Sequence, residues 1–67
     1  MDEELIKEWL KTLIDGEIDT EKRTIANEHV WENGAANATE VSIHQTNIEN
    51  HERYIEVLEE IKANYCK

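Results

Sequence analysis

Four side chains suited to polar chemistry stand at His44, Asn47, His51 and Tyr54, spaced three, four and three residues apart. On an α-helix that spacing puts all four on one face. A neutral imidazole donates and accepts, an amide offers two donors and an acceptor, and a phenol adds a hydroxyl. The set suits a base edge or a phosphate, and the Tyr54 ring can stack. It equally suits a polar layer that fixes register in a helical oligomer, as a single buried Asn does in coiled coils. Burying such groups without partners costs about 1–3 kcal/mol each. Each other, a second subunit, water or a ligand can supply those partners, and the sequence leaves the choice open.

Other residues can be placed around this stripe. An antiparallel hairpin turning near residue 36 puts His29 near His44, Ile25 near Ile48 and Lys22 near His51. Lys22 and Arg23 then approach the His51 end, where Arg53 also projects. Three cations together form a phosphate clamp; the alternative is ordinary pairing with carboxylates on solvated faces. Trp31 falls off the line of Ile18 and Ile25, which makes it a subunit contact or a stacking platform. Trp9 falls on the apolar stripe of its own segment and is expected in the core.

Metal and covalent chemistry find little support. His44 and His51 are two helical turns apart, too far to chelate one ion from a single helix. His29 and His44 could converge with Glu32 or Glu40 at the hairpin tip, but no His-x-x-x-His or Glu-x-x-His pair is present. Ser42 and Cys66 have no base at a defined spacing, and no glycine-rich phosphate loop exists. The expectation is a protein without metal, cofactor or catalysis.

The elements that must position these groups read as helices. The chain has no Pro and only two Gly, with abundant Glu, Lys, Leu and Ile. Asp2, Glu3 and Glu4 suit a helix start. Leu5, Ile6, Trp9, Leu10, Leu13 and Ile14 follow helical spacing, and Gly16 offers a stop, so a first helix is expected over about residues 2–15. A second is expected over about 20–33, capped by Asp19-Thr20 and ended by Asn33-Gly34. The two could also run on as one bent helix, since a helical Gly costs only ~1 kcal/mol. Asn37-Ala38-Thr39-Glu40 reads as a capping box, opening a long helix over about 38–65. The fold expected is a single all-α domain, 1–67: a short N-terminal helix packed on an antiparallel hairpin with a long C-terminal helix.

Val41, Ile48, Ile55 and Leu58 form one apolar row on the last helix, and Ile43, Tyr54, Val57, Ile61 and Tyr65 a second beside it. Together they exceed the ~100° stripe of a surface helix. A 67-residue chain rarely draws more than about 3–5 kcal/mol from its own core, so homo-oligomerisation is the natural remedy. Sixteen acids against seven Lys and Arg give a net charge of −9. That balance argues against direct nucleic-acid binding and anionic membranes, and permits a basic protein partner or mimicry of nucleic acid. No apolar run approaches ~18 residues, Cys66 is the only cysteine, and Met1 is followed by acids rather than a basic leader. A cytoplasmic protein is expected.

Trp31-x-x-Gly34, His44-x-x-Asn47 and Tyr54-x-x-x-Leu58, over about residues 31–58, resemble a pattern in small acidic proteins of phages and mobile elements of Gram-positive bacteria. In size and helical build the chain is also similar to anti-CBASS-type phage sponges, small homo-oligomers that sequester the cyclic nucleotides of host antiviral defence. The resemblance implies ligand sites at subunit interfaces, tight binding and no catalysis. On the stripe reading, His44, Asn47 and His51 contact base or phosphate, Tyr54 and Trp31 stack, and Lys22, Arg23 and Arg53 neutralise phosphate. Two other functions stay open. One is an acidic inhibitor or nucleic-acid mimic, presenting Glu3, Glu4, Glu8, Glu28, Glu32, Glu49, Glu52, Glu56, Glu59 and Glu60 to a basic host protein. The other is a structural oligomer whose polar stripe only sets register.

Overall fold

Two interlocking seven-residue patterns, one on each half of the chain, set the architecture. Ile14, Ile18, Glu21, Ile25, Glu28 and Glu32 alternate spacings of four and three, as do Val41, His44, Ile48, His51, Ile55 and Leu58. Such a repeat keeps one seam of a helix facing a partner helix. In the computed structural model, which describes residues 2–66, the two halves are two α-helices, α1 (Glu3–Asn33) and α2 (Ala38–Tyr65). They lie side by side as an antiparallel hairpin with Cα extents of 53 × 15 × 13 Å. There is no strand among the described residues, and no helix is long and apolar enough to cross a membrane.

The helix ends follow local chemistry. The Asp2 carboxylate accepts from the Glu4 N–H at 3.0 Å, and Glu3 and Glu4 sit at the positive end of the dipole. At the turn, Gly34 ends α1, its N–H reaching the Val30 carbonyl at 3.2 Å. The expected capping box opens α2. The Asn37 side chain accepts from the Glu40 N–H at 3.0 Å, and the Glu40 carboxylate accepts from the Ala36 N–H at 2.8 Å. The reciprocal bond thus falls one residue before the cap itself.

The expected short N-terminal helix folded across a hairpin is not present: α1 continues unbroken through Gly16 and Thr20. The cost of one helical glycine is outweighed by a seam that runs on through Ile14, Ile18 and Ile25. Thr20 also folds its hydroxyl back onto the Gly16 carbonyl at 3.0 Å instead of capping a new helix. A Cβ built on Gly16 meets nothing within 4 Å. Gly16→Ala is therefore expected to stabilise the hairpin by about 1 kcal/mol, measured as a raised urea midpoint at constant slope.

The core is thin. Its buried apolar residues are Ile14, Ile18, Ile48, Ile55 and Leu58, with Leu10, Ile25 and Ile61 partly covered beside them. Trp9, expected in the core, is 58% exposed. It shares the apolar half-circle with Leu10 and Ile14 but lies on the outer side of it, where a single facing helix does not reach.

Candidate functional site

The heptad register brings His44 and His51 of α2 against α1, where each meets a carboxylate. His44 Nδ1 lies 2.6 Å from Glu28 Oε2, and His51 Nδ1 bonds Glu21 in the same way. One step of seven down α1 is thus matched by one step of seven up α2, and the next repeat pairs Ile14 with Leu58 in the core cluster. The Asn47 amide donates to the same Glu28 oxygen at 3.5 Å, and Gln45 donates to Glu32 at 3.0 Å. Every buried side-chain nitrogen and oxygen among the described residues has a partner. The stripe is therefore a ladder of Glu–His layers inside the hairpin.

Among the described residues Glu28 is the one buried charged residue. The hydrogen bond from His44 holds its carboxyl below the usual range; burial pulls the other way, and Asn47 and the positive forms of His44 and His51 add to the lowering. A depressed carboxylate contributes stability above its unfolded value of 4.5 and loses it as pH falls through the lower folded value. Acid unfolding of the native chain is thus expected to steepen below about pH 4.5. Glu28→Gln, titrated by circular dichroism, is expected to flatten that limb while leaving the neutral-pH spectrum helical.

The hairpin register sits one residue from the one expected. Glu28, not His29, meets His44, and Glu21, not Lys22, meets His51; His29 instead lies 3.6 Å from Glu32 on its own helix. The proposed cation clamp is not assembled. Arg23 pairs with Asp19 at 3.2 Å and Arg53 with Glu49 at 2.8 Å, both on exposed faces. Lys22 lines a different feature, an open groove of about 610 Å³ toward the free end of the hairpin. Lys11 and Lys62 line it too, with Ile18, Cys66, Asp15 and Glu59, and Lys62 Nζ reaches Asp15 at 2.6 Å. Lys11 and Lys22 have no ion pair among the described residues.

Tyr54 is 45% exposed and Trp31 54%. The Trp31 ring leans over His44, centroids 6.1 Å apart and planes at 47°, closing one side of the upper Glu–His layer. Among the described residues no group of three or more His, Cys, Asp or Glu is placed to hold a metal ion. Sequence reasoning passed over Glu21 and set Glu28 and Glu32 on an acidic outer face; Glu28 is instead buried against His44, and Glu32 bonds Gln45 across the hairpin. The signal was available in the heptad itself, because Glu21 and Glu28 occupy the positions that Ile14 holds one and two repeats earlier.

Comparison with family models, with curated proteins and with solved structures finds no match for this chain.

Proposed function

We propose that this chain is a non-catalytic protein-binding module whose working surface is the outside of the hairpin. One observation carries the reading: His44, Asn47 and His51 are already bonded to Glu28 and Glu21, while Leu13, Val57 and Trp31 stand 68%, 53% and 54% exposed. The Glu28 and Glu21 carboxylates that hold those imidazoles repel a phosphate. Large apolar side chains in water favour contact with another protein. The polar layers then fix how α1 and α2 pair, and the acidic outer surface selects against anionic partners.

The test places a benzophenone-bearing residue at Leu13, Val57, Glu52 or Glu56 in turn and irradiates the chain in cells that produce it. Protein adducts from positions 13 and 57, and none from 52 and 56, are expected. Adducts confined to 52 and 56, or none anywhere, overturn the reading.

A second reading is favoured by the Lys11, Lys22 and Lys62 groove, where cations gather in an otherwise acidic chain. It is sequestration of a cyclic nucleotide in the host cytoplasm, as the resemblance to phage sponges implies. A ligand at a hundred times its Kd stabilises the folded state by about 2.7 kcal/mol. A thermal-shift panel of cyclic di- and trinucleotides would show such a ligand as a raised melting temperature, lost in Lys22→Glu. No shift across the panel removes this reading.

A further inference from the structure

The two broad faces of the hairpin differ in charge. One lies on the side of the seam where Trp31 meets His44. It carries positions 6, 10, 13, 17, 20, 24, 27 and 31 of α1 and positions 43, 47, 50, 54, 57, 61 and 64 of α2, again at spacings of three and four. Glu17 is the only Asp, Glu, Lys or Arg among them. Ile6, Leu13, Trp31, Ile43, Tyr54 and Val57 all stand at least 43% exposed on this face. The other face lies where Gln45 meets Glu32 and Lys62 meets Asp15. It carries Glu8, Asp15, Asp19 and Lys22 on α1 and Glu49, Glu52, Glu56 and Glu59 on α2, with Lys62 paired to Asp15, so it is charged throughout and acidic on balance.

We infer that this nearly uncharged face, with Glu17 its single charge, docks a second copy of this chain, giving a four-helix assembly with both acidic faces outward. The inference rests on the protein-binding reading and names its partner. Three observations select a second copy. The first is room: the Cα extents give the face a footprint of about 800 Å² (53 by 15 Å), large enough to hold the roughly 800 Å² that each partner contributes to a standard stable interface. The second is charge. Two chains of net charge −9 repel wherever their acidic faces meet, and the face with Glu17 as its one carboxylate is the surface through which two copies approach with every other acid kept in water. The third is the thin core: its five buried apolar residues leave Ile43, Tyr54 and Val57 of α2's second row about half exposed on this face, and a matching hairpin covers them with side chains of the same kind.

The experiment is sedimentation equilibrium of the purified chain, with thermal melts across a range of protein concentrations. Twice the 7.9 kDa chain mass and a melting temperature that rises with concentration are expected, since association stabilises only the folded chain. Leu13→Glu with Val57→Glu puts two unpaired charges on the face and is expected to weaken self-association at least about a hundredfold. Glu52→Gln with Glu56→Gln is expected to leave it intact. The concentration dependence of the native melt needs no variant, so the inference stays testable if the doubly charged chain does not fold. A native mass of 7.9 kDa with a concentration-independent melt overturns it, as does an assembly larger than two. If the chain stays single while positions 13 and 57 still crosslink to a different protein, the second copy is refuted and the protein-binding reading stands.

Discussion

Ile55→Ala is expected to abolish cooperative folding, or to leave a residual transition with its urea midpoint near zero. Ile55 sits in the cluster with Ile14, Ile18 and Leu58, the only stretch of seam where consecutive layers from both helices are apolar. Truncating a buried Ile to Ala costs about 2–5 kcal/mol, because the lost transfer energy is joined by a cavity the surroundings cannot fill. A domain of this size draws about 3–5 kcal/mol from its own core, so one truncation consumes most of it. The gradient of the effect is as informative as its size. Ile55→Val, which removes one methyl group, is expected to cost about 0.5–1.5 kcal/mol and leave a measurable transition. Val30, 67% exposed on the outer side of α1, is expected to tolerate Ala within about 0.5 kcal/mol. Helicity at 222 nm followed through urea separates the three. A cooperative Ile55→Ala transition near the native midpoint would show that the hairpin draws its stability from somewhere other than this cluster.

What was legible in the sequence was governed by short-range chemistry. The bounds of α2 follow from an Asn and a Glu at capping distance and from the absence of Pro, and the end of α1 follows from Asn33-Gly34. Gly16 was ambiguous for a physical reason. Its propensity penalty is small, and whether a helix continues through it depends on the facing helix, which local sequence does not encode. Trp9 misled for a related reason: it belongs to an apolar half-circle, and one facing helix covers only part of a half-circle. The stripe His44, Asn47, His51 and Tyr54 is visible in the sequence as polar groups among apolar rows; the first three meet α1, and Tyr54 stands 45% exposed. The partners of those three were not read, because Glu21 and Glu28 look like solvated acids until the heptad through Ile14, Ile18 and Ile25 is extended to them. The register error of one residue has the same origin. Turning the chain near residue 36 set only an approximate pairing, whereas matched Glu–His layers two turns apart fix it.

Those layers support the second prediction of large effect, on the seam itself. His44→Leu alone is expected to destabilise the hairpin strongly, because it leaves the buried Glu28 carboxylate with only the 3.5 Å contact from Asn47. Glu28→Leu with His44→Leu is expected to recover the native melting temperature or exceed it, since well-packed apolar side chains often replace a buried ion pair without loss. The sign change between single and double variant is the diagnostic. If both fall together, His44 contributes by packing under Trp31 and the carboxylate is incidental. Extending the change to Glu21→Leu and His51→Leu makes both Glu–His layers apolar, so that sliding one helix past the other by a heptad no longer sets a polar group against Ile14 or strips a buried carboxylate of its partner. The quadruple variant is then expected to be the most heat-resistant of the series and the least uniform, sedimenting as several species where the native chain gives one. In the native chain that slide faces Ile14 of α1 with His51 in place of Leu58 and strips Glu28 of its imidazole. The Glu–His ladder thereby makes the wrong registers expensive while adding little to the right one. A quadruple variant that stays homogeneous would assign the choice of register to the Gly34–Asn37 turn instead.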